Sequence, residues 1–283
     1  MTTAFVLSGG GSLGAVEVGM LEALREHGVT PDLIVGTSAG ALNGAWLAGH
    51  PGAPIDELAA IWGGLRRTRV FPPDPVHGLL GFVGRRRGLV SHRGLRTLIG
   101  KYLTFERLED APVPLHVVAV DVLSGRDVLL SRGPALEAIM ASAAIPGVFS
   151  PVTIDGVPYM DGGVVENTPI SHAVELGADV VWVLCAGYAC ALTEPPRGAL
   201  AMALHGLTLL LHQQLIVDVE QYEPQVELHV LPPLCPLRVS PADFGQSGEL
   251  IGRAREAARA WLAQDRPLVG QAEFLGLHRH DAH

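Results

Sequence analysis

Gly36-Thr37-Ser38-Ala39-Gly40 sets a serine between two flanking glycines. A serine in this pattern acts as a nucleophile when a sharp turn between a strand and a helix lifts its hydroxyl above the sheet. The surroundings fit that context: Leu33-Ile34-Val35 reads as a buried strand, and the small residues up to about Ala48 read as a helix. Gly36 and Gly40 would relieve crowding in the strained turn. The competing reading is an ordinary glycine-rich strand–helix turn. A serine nucleophile also needs a base, and an acyl intermediate needs donors for its oxyanion. Asp161, in Tyr159-Met160-Asp161-Gly162-Gly163, is the candidate base. It follows an apolar stretch and precedes Gly162 and Gly163, as expected where backbone must pass close to a site. Taken alone, it would read as a turn or cap residue.

A second glycine-rich loop supplies the donors. Gly9-Gly10-Gly11-Ser12-Leu13-Gly14 follows the apolar run Ala4-Phe5-Val6-Leu7 and opens a helical pattern in which Val16, Met20, Leu21 and Leu24 recur at helical spacing up to Gly28. Such a loop exposes amides at the positive end of a helix dipole and suits any anion. A dinucleotide site would also need an acid at the end of the second strand. That strand ends in Gly36-Thr37-Ser38, and Asp32 lies before it, so no nucleotide is expected. If the two strands are parallel neighbours, Gly9, Gly10 and Gly11 emerge at the same sheet edge as Ser38 and form an oxyanion hole.

Two strand–helix units in the first 50 residues imply an α/β fold with a parallel sheet and helices on both faces. Further strands are expected at His116–Val122, Asp127–Leu130, Val180–Leu184 and Val226–Leu231. Helices are expected at Arg93–Tyr102, Pro134–Ala144, about Leu200–Gln221 and Asp243–Ala263. No repeat or linker divides the 283 residues, so residues 1–270 read as one domain and 271–283 as a tail. The composition, 48% apolar and 17% charged, excludes a disordered chain, and the net charge of −9 excludes a global basic field for nucleic acid. Cys185, Cys190 and Cys235 fit neither a disulfide framework nor a zinc spacing and read as reduced, buried thiols; no metal or cofactor is expected. The N-terminus lacks a signal-peptide pattern, and the apolar span Ala199–Val219 is broken by His205, His212, Gln213 and Gln214. A soluble, cytoplasmic protein is the expectation.

The three elements, in order, resemble the patatin-like phospholipase family: G-G-G-x-x-G, then G-x-S-x-G, then D-G-G. Ala141-Ser142-Ala143-Ala144-Ile145-Pro146-Gly147-Val148-Phe149 is similar to the segment such proteins carry before the aspartate. The likeness runs from about Ala4 to Leu184. It implies a three-layer α/β/α fold with a mainly parallel central sheet, and a bacterial-type lipid acyl hydrolase that cleaves carboxylic esters. Ser38 would be the nucleophile, Asp161 the proton acceptor, and no histidine would take part. Gly14, Gly162 and Gly163 complete the motifs. The chain departs from the family at Leu13, where Arg or Lys is often found beside the oxyanion loop. Two alternatives stay open: a Ser-His-Asp esterase of the α/β-hydrolase type using His212 or His229, and a non-catalytic lipid- or partner-binding module. Against the first, the elbow comes after only the second strand. Covalent labelling of Ser38 by a fluorophosphonate separates enzyme from binder.

Charge is uneven. Between Arg66 and Gly100 eight arginines face one acid, Asp74, a segment of +7 in a chain whose remainder carries −16. Residues 65–100 are expected to form a lid or surface insert, with peripheral membrane contact set against the blander reading of a solvated loop whose arginines pair with acids elsewhere. Asp121, Glu166 and Asn167 read as turn and loop-holding residues.

Overall fold

The computed structural model describes residues 1–74, 78, 79, 82, 83, 85, 87–187, 194–235, 237, 239–264 and 275. The strands are β1 (Thr3–Leu7), β2 (Leu33–Thr37), β3 (Gly88–Val90), β4 (Leu115–Asp121), β5 (Asp127–Leu130), β6 (Gly147–Phe149), β7 (Val152–Ile154), β8 (Val157–Asp161), β9 (Val180–Leu184) and β10 (Glu227–Val230). The helices are α1 (Gly14–Glu26), α2 (Ala39–Gly49), α3 (Ile55–Gly64), α4 (Arg67–Val70), α5 (Arg93–Tyr102), α6 (Ala135–Ser142), α7 (Ile170–Glu175), α8 (Ala199–Tyr222) and α9 (Ser247–Leu262).

Alternation along the strands builds the layers, because successive side chains point to opposite faces of a sheet. Phe5, Leu7, Ile34, Val117 and Ala119 face one core with Val16 and Met20 of α1, Trp46 of α2, Ile139 of α6 and Leu250 of α9. Ala4, Val6, Leu33, Val35, Val181 and Val183 face the other, against Ile170 of α7 and Leu215 and Val219 of α8. The result is a mixed α/β fold with helices on both faces. Its main sheet runs β10–β9–β1–β2–β4–β8–β7, with β5 also on β4. Pairing is parallel from β10 through β4 and antiparallel among β4, β5, β7 and β8.

Register brings two strand ends together. Thr37, the last residue of β2, pairs with Val118 of β4. Asp161, the last residue of β8, pairs with Ala119, the next position on β4. β2 and β8 approach these adjoining positions from opposite directions, so residues far apart in sequence are delivered to one place.

The periodic elements fall where the sequence places them, within two or three residues; the last helix begins at Ser247, after a 3₁₀ turn at Phe244–Gln246. Periodicity did not reveal α3, α4, α7 or the strands β3, β6, β7 and β8. The strands have three to five residues, too short to show a period, and their partners are themselves irregular. Cys185 is a buried free thiol, whereas Cys235 is disulfide-bonded, a correction to the reading of all three cysteines as reduced. Cys190, with Leu80, Gly81, Gly84 and Arg86 of the basic segment, lies outside the described residues, as does the tail 271–283 apart from Leu275, which is buried in the α7–α8 core. No helix among the described residues is long and apolar enough to cross a membrane.

Candidate active site

Ser38 sits between β2 and α2 with φ 53° and ψ −116°. A non-glycine residue in that region costs on the order of 1–3 kcal/mol and persists only when its surroundings over-determine it. Several bonds do so here. The Ser38 amide donates to Ser142 Oγ at 2.8 Å, the Gly40 amide donates to the Ser8 carbonyl at 3.0 Å, and Thr37 Oγ1 donates to the Glu166 carbonyl at 3.0 Å. Gly40 must lack a side chain, since a Cβ there would be driven into the Leu7 carbonyl at the end of β1. Gly36, within β2, likewise lies against the first turn of α2.

The Ser38 hydroxyl donates to Asp161 Oδ2 at 2.6 Å, and the Gly163 amide donates to Asp161 Oδ1 at 2.8 Å. Both residues are nearly enclosed, Ser38 6% and Asp161 5% exposed. Burial pushes the Asp161 carboxyl up to about 6, against the opposing pull of the Ser38 hydroxyl and the Gly163 amide. Gly162 lies where β8 ends, packed too closely on the Val118 carbonyl and Thr37 for any side chain. The Ser38 hydroxyl is thus bonded to a carboxylate and not to an imidazole. Of the histidines that could have served as base, His229 pairs with Glu227 at 2.9 Å and stacks on Trp182, and His172 pairs with Asp127 at 2.8 Å. His212 is buried on α8.

Gly9, Gly10 and Gly11 come after β1, beside the elbow as parallel pairing of β1 with β2 requires. Their amides are not equivalent. Gly9 donates to the Asn167 carbonyl at 3.0 Å, while Gly10 and Gly11 have no acceptor among the described residues. Gly11 has φ +59°, the left-handed region that favours glycine, and it abuts the Pro241 carbonyl. Gly14 starts α1 so close to Ala39 and Trp62 that a Cβ there would collide with both, so the first turns of α1 and α2 lie side by side. Their N-terminal amides give this corner a positive potential. Leu13 is buried in the apolar core beneath it.

Residues with no motif of their own hold this corner. Asn43 Nδ2 donates to the Gly14 carbonyl at 2.9 Å and to Glu17 Oε2 at 2.8 Å, and Trp62 Nε1 donates to Asn43 Oδ1 at 2.8 Å. Full burial raises the Glu17 carboxyl well above the usual range, against the pull of its bond from Asn43. Ser142 belongs to the family-like segment Ala141–Phe149, but nothing local marks it as the partner of the Ser38 amide. Asn167 and Glu166 do brace the loops, through Gly9 and Thr37. Burial and the neighbouring Asp218 push the Glu166 carboxyl to about 8. Asp121 accepts from the Leu123 amide and Ser124 Oγ in its own turn, away from Ser38.

Ser38 opens onto a cavity walled almost wholly by apolar side chains. Leu42, Trp46, Leu58, Ile61, Ile139 and Phe149 are among its walls, and Gly11 and Asn43 also border it. A space so lined accepts an alkyl chain and rejects a polar ligand that cannot replace its hydration. The groups brought together can transfer a proton from a hydroxyl to a carboxylate, hold an oxyanion with two free amides, and seat an apolar chain.

Residues 5–174 match the family model of the patatin-like phospholipases. The chain is similar to an NTE family protein of Mycobacterium tuberculosis, 34% identical over 178 residues, which is 62% of this chain and 47% of that protein. It is also similar to lysophospholipase NTE1 of Pyricularia oryzae, 28% identical over 185 residues, 64% of this chain and 12% of that protein. The chain therefore spans about half or less of the length of these relatives. Among solved structures it is similar to VipD from Legionella pneumophila, at 16% identity and a TM-score of 0.48, covering 97% of this chain and 66% of that one.

Proposed function

This chain belongs to the patatin-like phospholipase family, and on that premise we propose that it hydrolyses carboxylic esters of lipids through a Ser38–Asp161 dyad. The observation that carries the reading is the 2.6 Å bond from Ser38 Oγ to the buried Asp161 carboxylate at the head of an apolar cavity. As Ser38 Oγ attacks the ester carbonyl, Asp161 takes its proton. The carbonyl oxygen becomes an oxyanion, held by the Gly10 and Gly11 amides. Asp161 then returns the proton to the departing alcohol, leaving an acyl-serine. Water, deprotonated by the same carboxylate, completes the hydrolysis and restores the serine. Each step uses groups already on the protein, with no metal, nucleotide or other cofactor. The lysophospholipase activity named for the fungal relative makes a lysophospholipid the natural first substrate.

Two measurements test this. A fluorophosphonate should label Ser38, identified by peptide mapping, and the protein should release fatty acid from a long-chain lysophospholipid. Labelling at another serine would remove Ser38 from the chemistry, and a folded protein with neither activity nor label would leave a lipid-binding module as the better reading.

The pH profile depends on Asp161. The base must be deprotonated, and its carboxyl sits at about 6. Hence kcat/KM should fall as pH drops below that value and level off above it. A profile flat down to about pH 5 would mean that another group takes the proton.

A further inference from the structure

We infer that the arginine-bearing wall of the acyl cavity is also the surface by which the protein docks on anionic lipid bilayers, an inference that rests on the lipid hydrolase reading. The carrying observation is that one stretch of chain has two opposed duties. Val70 and Phe71, ending α4, and Leu95, Leu98 and Ile99 of α5 line the cavity that begins at Ser38. The other sides of the same elements expose Arg67 and Arg69, and Arg93, Arg96 and Lys101. The two helices abut, since Gly94 packs against the carbonyls of Arg69 and Val70.

The blander reading requires these arginines to be paired with acids. Arg96 is paired, with Glu137 at 3.2 Å. Arg66, Arg67, Arg69, Arg85, Arg87 and Arg93 have no carboxylate partner among the described residues, and all are exposed. In the same segment of the chain Leu79, Phe82, Val83 and Leu89 are exposed, Phe82 by 84%. Unpaired guanidinium groups together with exposed aromatic and aliphatic side chains suit an interface that is anionic at its surface and apolar a few ångströms below. The distribution of charge also orients the molecule. The segment carries +7 and the remaining chain −16, so an anionic bilayer attracts this side and repels the rest. Docked in this way, the protein sets a wall of its acyl cavity against the source of acyl chains.

Vesicle sedimentation tests the proposal, using the Ser38→Ala protein so that no lipid is consumed. It should bind vesicles of phosphatidylcholine mixed with phosphatidylglycerol, bind phosphatidylcholine alone weakly, and be released by salt. Arg67→Gln, Arg85→Gln, Arg87→Gln and Arg93→Gln together remove four charges that make no side-chain bond among the described residues. On the Ser38→Ala background they should lower the partition onto anionic vesicles by about 10³-fold. Placed instead on the Ser38 protein, the same four changes should spare hydrolysis of a soluble short-chain ester. Equal binding to both vesicle types, salt-insensitive binding, or undiminished binding by the fourfold variant would each overturn the proposal. So would a matching loss on the soluble ester, which would make the segment purely a cavity wall. If the Ser38 protein hydrolyses no ester at all, the enzymatic reading fails while sedimentation still decides the docking. If the fourfold variant does not fold, Arg85→Gln with Arg87→Gln, both outside the helices that line the cavity, makes the same comparison, and undiminished anionic-vesicle binding by that pair would overturn the proposal.

Discussion

Ser38→Ala is expected to lower ester hydrolysis by about 10⁴-fold or more while the protein stays folded. The loss is large because the substitution removes the bond-forming atom, leaving only substrate binding and the oxyanion amides to assist water. Folding should survive, since the elbow is held by backbone bonds that alanine keeps: Ser38 amide to Ser142 and Gly40 amide to Ser8. Backbone strain offers an internal control. Alanine at φ 53° inherits the serine's strain, whereas glycine does not, so Ser38→Gly should be equally inactive yet melt at a higher temperature than Ser38→Ala. Circular dichroism melts and a lysophospholipid assay on the three proteins decide the matter. Retention of more than about a tenth of the activity in folded Ser38→Ala would remove Ser38 from the chemistry.

Asp161→Asn should be nearly as damaging, at about 10⁴-fold. The amide oxygen still accepts from the Gly163 amide, but the atom facing Ser38 becomes a donor, so no group is left to take the proton. Stability should move the other way. The folded-state carboxyl of Asp161 lies at about 6, above its ordinary 3.8, because burial disfavours the charge. A group raised in this way favours the folded state at low pH, and that contribution is lost as pH climbs from about 4 to 6. At neutral pH the wild type therefore bears a buried charge that its bonds from Ser38 and Gly163 compensate only in part, and that asparagine lacks. Asp161→Asn should be more stable than wild type by up to about 2–3 kcal/mol at pH 7.5, with the gap closing toward pH 4. Denaturant melts at the two pH values measure this. Replacing His172 or His229 by Gln should leave activity within a few-fold of wild type, because each is paired with an acid other than Asp161. If one of these changes matches the loss from Asp161→Asn, a Ser-His-Asp arrangement is the better account.

The opposite movements expected of activity and stability at Asp161 have a common origin. A carboxylate in water is too weak a base to help a serine hydroxyl at neutral pH. Enclosure raises its basicity and destabilises the fold in doing so. The strained backbone of Ser38 shows the same pattern, with local cost accepted where the hydroxyl must be presented. The buried Glu17 and the bonds that Asn43 makes to it, to Gly14 and to Trp62 belong to the surrounding framework that holds these costs in place.

Much of this was legible without coordinates because the signals are short-range. An apolar run succeeded by glycines specifies a strand and a sharp turn whatever the rest of the chain does, and Gly9–Gly14 and Gly36–Gly40 each carry that pattern within a few residues. Helical spacing in α1 and α5 is equally local. Two strand–helix units then imply a parallel sheet, and with it the shared edge of Ser38 and the Gly9–Gly11 loop. The three motifs in order were enough to indicate a family.

Contacts across the sheet were not legible, because nothing near a residue in sequence records its partner in space. Ser38 and Asp161 are 123 positions apart, and their meeting depends on Thr37 and Asp161 taking adjoining places on β4, a register set by strand pairing. β8 itself escaped notice, as a five-residue strand supported only by neighbours that are also short. The inequality among the three loop amides depends on Asn167, which reaches Gly9 from beyond the D-G-G turn. The bond from the Ser38 amide to Ser142 and the cavity shared by α2, α3, α5 and α6 likewise exist only once helices pack. Residue types and local spacing determined which groups could do chemistry and which turns would present them. Packing decided which carboxylate is desolvated, which amides stay free, and which face of the basic segment lines the cavity, because burial and pairing belong to the assembled chain.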